Sequence, residues 1–157
     1  MILKGIIDTD TVNYKKISMV LEFPKCDFKC DRECGQQVCQ NCPLAAAPDI
    51  KIEPITIIKR YIDNPMTQAI ICQGLEPFDT FNDLYTFIFL FRSILDDDIV
   101  IYTGYNKDEI TTYINQLKTF KNIVIKYGRY VPNQQPHYDE ILGVYLASDN
   151  QYAEKVS

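Results

Sequence analysis

The stretch ISMVLEFPKC, residues 17–26, joins an apolar run to a proline and a cysteine. Five of its first seven residues, Ile17–Phe23, are apolar, and Pro24 ends the run just before Cys26. A short apolar run that a proline closes is typical of a buried strand. We therefore predict a strand at Ile17–Phe23 that leads directly into a cysteine-rich segment.

Apolar runs alternate with segments of helical periodicity along the rest of the chain. Strands are predicted at Thr67–Gln73, Ile99–Thr103, Asn122–Tyr127 and Leu142–Ala147, and helices at Ile55–Asn64, Thr80–Leu95 and Lys107–Lys118. Thr80, with Asp83 three residues later, resembles a capping box. Strands that alternate with helices indicate a mostly parallel sheet built from β–α–β units. No repeat or linker interrupts the 157 residues, so we expect one α/β domain over residues 1–157.

Composition excludes several classes of function. The net charge is −5, which argues against non-specific nucleic-acid binding. His137 is the only histidine, so a site built on several histidines is excluded, and its place in a proline-containing loop predicts a non-catalytic role. There is no apolar stretch of about 20 residues, so no membrane span is expected. The N-terminus does not resemble a signal peptide, and we expect a cytoplasmic, reducing compartment.

Five of the six cysteines lie between Lys25 and Leu44. In a reducing compartment this density predicts a metal or redox site more strongly than disulfides. Four of the thiols, at positions 30, 34, 39 and 42, have a spacing that a tetrahedral zinc site would accept. Three thiols could instead hold an iron–sulfur cluster with one iron left for an external ligand. Free or buried thiols are the third alternative.

Six short motifs resemble one known family. They are DTVNYKKISMVLEFPKC (residues 10–26), CDFKC (26–30), CQN (39–41), QGLEP (73–77), IVIYTGY (99–105) and ASDNQ (147–151). Together and in this order they resemble the radical S-adenosylmethionine (SAM) superfamily. Within it, they are similar to the short activating proteins of anaerobic (class III) ribonucleotide reductase. The resemblance implies an incomplete β/α barrel of about five or six mostly parallel strands.

The resemblance also implies a [4Fe–4S] cluster held by three cysteines, with SAM on the remaining iron. The family's usual spacing is C-x3-C-x2-C, which this chain lacks. Cys26 and Cys30 supply the first two ligands, and the third is either Cys39 or Cys34. We favour Cys39 because Asn41 follows it as in the family's Cys-x-Asn motif. The segment Asp31–Val38 is then an insertion within the cysteine loop.

A SAM site is implied at Gly74, Leu75, Glu76, Pro77, Thr103 and Gly104. Gly74 would let the backbone approach the methionine end of SAM, while Leu75 replaces a glycine of the family's motif. Glu76 would hold the loop or the ligand, and the alternative for it is a solvated acid in a turn. Thr103 and Gly104 have a plain alternative too, as residues that end a strand.

The function implied is a SAM-cleaving activase that places a glycyl radical on an anaerobic ribonucleotide reductase or a related partner. An electron donor such as flavodoxin or ferredoxin would supply the reducing electron. Two alternatives stay open. One is a radical SAM enzyme that acts on another peptide or small molecule, and the other is a non-catalytic zinc or iron–sulfur binding module.

Overall fold

A six-stranded sheet forms the centre of the computed structural model, which describes residues 1–157. The strands are β1 Ile2–Leu3, β2 Gly5–Asp10, β3 Ser18–Phe23, β4 Ile50–Lys51, β5 Ala69–Gly74, β6 Asp98–Tyr102, β7 Ile123–Tyr127, β8 His137–Asp139, β9 Val144–Leu146 and β10 Tyr152–Lys155. The helices are α1 Lys29–Cys34, α2 Cys42–Ala46, α3 Pro54–Ile62, α4 Phe81–Arg92 and α5 Thr111–Leu117, with 3₁₀ turns at Pro77–Thr80 and Lys107–Ile110. The protein is thus mixed α/β, as predicted.

The central sheet has the order β10-β7-β6-β5-β3-β2. Its four inner strands, β3, β5, β6 and β7, are parallel, and the outer strands β2 and β10 are antiparallel to their neighbours. All four inner strands were predicted from their apolar runs. Because they are parallel, their carboxyl ends meet at one edge of the sheet, where α/β proteins bind ligands.

The predicted last strand, Leu142–Ala147, is wrong as a member of this sheet. Its central residues form β9, which pairs with β8 in a separate two-stranded sheet. The outer neighbour of β7 is β10, whose register places Tyr152 opposite Tyr127. The sequence of β10, YAEK, is short and half polar, so it carries no signal comparable with the apolar inner strands.

Helices cover one face of the sheet only. Alternate residues of the inner strands, such as Met19 and Ile70, pack with α3, α4 and α5 in a cluster of 22 buried residues. In α4 the buried residues are Leu84, Phe87, Ile88 and Phe91, at the spacing of one helical face. The opposite face is covered by Tyr14, Leu142 and Leu146 in a smaller cluster of 9 residues. No helix is long and apolar enough to span a bilayer.

The capping box predicted at Thr80 is wrong. Thr80 makes no side-chain cap hydrogen bond, and the Asp83 carboxylate accepts the Ile2 N–H instead. A 3₁₀ turn runs directly into α4, and Glu76 caps that turn by accepting the Phe78 N–H. The chain has a reciprocal capping box elsewhere, between Asn106 and Glu109 before α5.

Candidate metal centre and ligand cavity

A cavity of about 390 Å³ opens at the carboxyl ends of the four parallel strands. Three cysteines and five other residues of the predicted site line it: Cys26, Cys30, Cys39, Gly74, Leu75, Glu76, Thr103 and Gly104. Cys34, Cys42 and Pro77 do not line it. The structure therefore brings two distant parts of the sequence, the cysteine segment and the Gly74 turn, to one cavity.

The cysteine segment folds back on itself through Asp31. The Asp31 carboxylate accepts the N–H groups of Val38 and Cys39, each at 2.8 Å. Gly35 ends α1 in the left-handed conformation, with φ of 66°, and this allows the chain to reverse. The predicted insertion, Asp31–Val38, thus comprises the remainder of α1 and the segment in which the chain reverses direction. The reversal places Cys39 at the cavity and leaves Cys34 at the far end of α1.

Burial weakens the acidity of the three thiols that line the cavity. It raises the pKa of Cys26 to about 12 and that of Cys39 to about 11. The pKa of Cys30 is also raised, mainly by burial, although nearby Arg129 opposes the rise. In the absence of a metal these thiols hold their protons at neutral pH, so metal binding would release protons.

No three cysteine sulfurs approach one another as the ligands of a single ion would. The only group of three potential ligand atoms within 4.8 Å of one another is the Cys26 thiol with the carboxylates of Asp27 and Asp79. Four thiolates at about 2.3 Å from one zinc ion lie about 3.8 Å apart. The four-cysteine zinc arrangement is therefore not preformed. Three thiols line one cavity, and their sulfur atoms do not all lie within 4.8 Å of one another.

The Gly74 turn is joined to the cysteine segment at two points. The Asn41 side-chain amide donates to the Gly74 carbonyl oxygen at 2.6 Å, and the Glu76 N–H donates to the Lys25 carbonyl oxygen at 2.6 Å. Gly74 has φ of 96°, and a Cβ there would lie 2.8 Å from the backbone of the adjacent strand β3. Only glycine both adopts this positive φ readily and has no Cβ to clash with β3. Asn41, the last residue of the CQN motif, thus holds the turn at which the sequence predicts SAM binding.

Glu76 is buried, with 6% of its surface exposed, so the alternative of a solvated acid is wrong. Its carboxylate accepts the Thr103 hydroxyl at 2.8 Å, the Gly104 N–H at 2.9 Å and the Phe78 N–H at 3.1 Å. Burial outweighs these hydrogen bonds and raises the pKa of Glu76 to about 7. The carboxylate therefore ties the end of β5 to the end of β6.

Two basic residues at the end of β7 also line the cavity, and the sequence analysis did not identify them. Lys126 is 7% exposed, donates to the Gly128 carbonyl oxygen at 2.8 Å and forms no ion pair. Burial lowers its pKa to about 8. Arg129, in contrast, pairs with Glu109 through two hydrogen bonds of 2.9 Å. The signal for Lys126 was present, since it is the one charged residue in the apolar run NIVIKY.

The first and last motifs of the sequence also reach this cavity. In the DTVN segment, the Asp10 carboxylate accepts the backbone N–H groups of Val12 and Asn13, and both of these residues line the cavity. In the ASDNQ segment, the Asn150 amide donates to the Arg129 carbonyl oxygen at 2.8 Å. Gln151 donates to the Gly128 carbonyl oxygen at 3.3 Å. Both segments therefore close the cavity from the chain ends.

Comparison with protein-family models, with characterised proteins and with solved structures finds no match to this chain.

Proposed function

We propose that this chain is a radical SAM activating enzyme on an incomplete β/α barrel. One observation carries the proposal: Cys26, Cys30 and Cys39 line the same cavity as the Gly74–Glu76 turn, at the carboxyl ends of parallel strands. Sequence position alone does not require this meeting, because Asn41 and Gly74 are 33 residues apart. The partner proposed is an anaerobic ribonucleotide reductase or a related glycyl-radical enzyme.

The donor set fits a [4Fe–4S] cluster with SAM on its fourth iron. Three thiols face the cavity, and Cys34 and Cys42 do not. The chemistry that this pair supplies when bound is one-electron cleavage of the sulfonium of SAM, which gives methionine and a 5′-deoxyadenosyl radical able to take a hydrogen atom from glycine. An electron donor such as flavodoxin or ferredoxin would provide the electron.

The side chains around the cavity would bind and orient SAM. The Gly74 backbone lines the cavity, and the absence of a Cβ lets it lie against the backbone of β3. Glu76 keeps Thr103 and Gly104 in place. Its role toward SAM is therefore to fix these two residues of the cavity lining rather than to contact the reacting atoms. The Lys126 ammonium has no acidic partner and is available to an anionic group of the ligand.

The mouth of the cavity suits a protein substrate. Val12 is 70% exposed and Tyr145 is 73% exposed, and both line the cavity. Tyr145 packs edge-on against Tyr138, itself 53% exposed, with ring centroids 5.4 Å apart. An apolar rim that water contacts in the free protein could accept a glycine-containing loop of the partner.

Anaerobic reconstitution with iron and sulfide tests the proposal. We expect about four irons per chain, formation of 5′-deoxyadenosine with SAM and reductant, and a glycyl doublet in the electron paramagnetic resonance spectrum of an added reductase. Deoxyadenosine without the doublet, across several glycyl-radical partners, would point to a radical SAM enzyme for another peptide or a small molecule. A fully loaded, reducible cluster that yields neither product contradicts enzymatic function.

A non-catalytic metal-binding module is the second candidate. It is favoured by the Cys26 thiol and the Asp27 and Asp79 carboxylates, whose ligand atoms lie within 4.8 Å of one another. Both carboxylates already have donors, since Arg32 donates to Asp27 and the Tyr105 hydroxyl donates to Asp79. Metal analysis of anaerobically purified protein separates the candidates, because one zinc and no iron would support the module.

A further inference from the structure

The cysteine segment lies on the protein without joining either apolar core. No residue between Pro24 and Glu53 is buried, and neither α1 nor α2 has a buried side chain. Short helices in proteins are normally stabilised by packing an apolar face. Since α1, the helix that carries Cys30, has no fully buried side chain, its polar contacts take on a larger share of this role.

All hydrogen bonds and ion pairs that join α1 to the rest of the protein outside the cysteine segment involve Glu109 or Arg129. Lys29 donates to the Glu109 carboxylate at 2.5 Å, and Glu33 lies 3.5 Å from the Arg129 guanidinium. The other contacts of α1 are within the segment, as in the ion pair of Arg32 with Asp27. The Glu109–Arg129 pair is therefore the attachment point of α1.

Arg129 is well placed to fix this attachment. Its side chain is 8% exposed, lies over the Tyr105 ring at 5.6 Å, and grips both oxygens of Glu109 at 2.9 Å. A guanidinium that binds a carboxylate through two parallel bonds sets its orientation, which a single point charge does not. The Glu109 carboxylate is further held by the Asn106 N–H at 2.7 Å.

We infer that Arg129 is the positioning residue of the cysteine segment: it orients Glu109, on which Lys29 docks, and thereby holds α1 with Cys30 at the cavity. The importance of this positioning for catalysis rests on the proposed function, whereas the attachment of α1 does not. Arg129 acts through its ion pairs with Glu109 and with Glu33 of α1.

Hydrogen–deuterium exchange on the full chain, with and without iron, tests this inference. In Arg129→Met, the amides of α1 should exchange about tenfold faster than in the native chain, the loss expected when a charge-assisted pair is broken. Arg129→Lys keeps the charge but not the two parallel bonds, and should behave like Arg129→Met. Amides of β6 should keep their native rates. Native α1 exchange in both variants, or in Arg129→Lys alone, overturns the inference.

Two further variants keep the test decisive if Arg129 variants unfold. Glu109→Gln removes the ion pairs of Glu109 with Lys29 and Arg129 at a side chain that is 22% exposed, and should give a local increase at α1 as well. Lys107→Met is the matched control, because it breaks an exposed ion pair with Glu154 on the same 3₁₀ turn and should leave α1 unchanged. A uniform increase over α1 and β6 in Glu109→Gln would contradict a local role.

Iron retention provides the second measurement. The Arg129 and Glu109 variants should lose iron to a chelator several-fold faster than the native chain and the Lys107 control. If the native chain binds no iron, the proposed function is refuted. The exchange measurement then still tests whether Arg129 holds α1 in place. If the native chain binds iron and the variants match it in both measurements, only the inference about Arg129 is refuted.

Discussion

Replacing Glu76 by glutamine should change how the stability of the protein depends on pH. The substitution should destabilise the protein at acidic pH and stabilise it at alkaline pH. Burial raises the pKa of this carboxyl from its ordinary value of 4.5 to about 7. Between these values the folded state binds the proton more tightly than the unfolded state, so the stability that the group contributes is complete below pH 4.5 and is lost as pH rises through 7. At about 1.4 kcal/mol per pKa unit, the loss is about 3 kcal/mol.

Glutamine cannot titrate, so this loss should vanish in the variant. The amide oxygen can keep the two bonds that Oε1 accepts, from Thr103 and Phe78, but the amide nitrogen then faces the Gly104 N–H. That mismatch costs about 1–2 kcal/mol. We therefore expect Glu76→Gln to be less stable than the native chain at pH 5 and more stable at pH 8.

Urea unfolding under reductant, followed by far-ultraviolet circular dichroism at pH 5 and pH 8, measures both differences. Glu109→Gln is the matched control: Arg129 lowers the pKa of Glu109 to about 2, so its removal should cost the same at both pH values. If Glu76→Gln has the same effect on stability at the two pH values, or lowers stability more at pH 8, the argument that burial disfavours ionisation of Glu76 is refuted.

Three other outcomes are expected. Cys39→Ala should abolish iron loading, because Cys39 lines the cavity, while Cys34→Ala should largely spare it. The iron content per chain measures both effects. The reverse pattern would favour Cys34 as the third ligand. Gly74→Ala should lower the free energy of unfolding by about 3 kcal/mol, since it combines left-handed strain with a backbone clash. Gly35→Ala, with the same sign of φ but open space around its Cβ, should cost only about 1–2 kcal/mol in the same urea titrations. Lys126→Met should weaken SAM binding to iron-loaded protein about tenfold by calorimetry. Native affinity should also fall as pH rises through about 8, where Lys126 loses its proton, and an unchanged affinity would remove Lys126 from the ligand site.

The α/β class and the four inner strands could be predicted from the sequence. Runs such as Ile17–Phe23 and Thr67–Gln73 consist of residues that fit a strand buried on both faces, so their assignment needs no knowledge of neighbours. The placing of the cysteine segment after the first parallel strand could also be predicted, because the segment directly follows that run in the sequence. The strands β2 and β10 were not predicted, because edge strands are half polar and their pairing depends on partners distant in the sequence.

Whether a polar side chain is buried, and which group it pairs with, could not be predicted from the sequence. The sequence predicted that Glu76 holds the loop or the ligand, but its burial follows from the packing of the β5 and β6 ends against each other. Lys126 and Arg129 differ in the same way: one has no acidic partner, and the other has Glu109, 20 residues away along the chain. The approach of Asn41 to Gly74 likewise depends on how the chain reverses at Asp31. Burial and pairing are set by contacts between remote residues, and these contacts exist only once the sheet has formed.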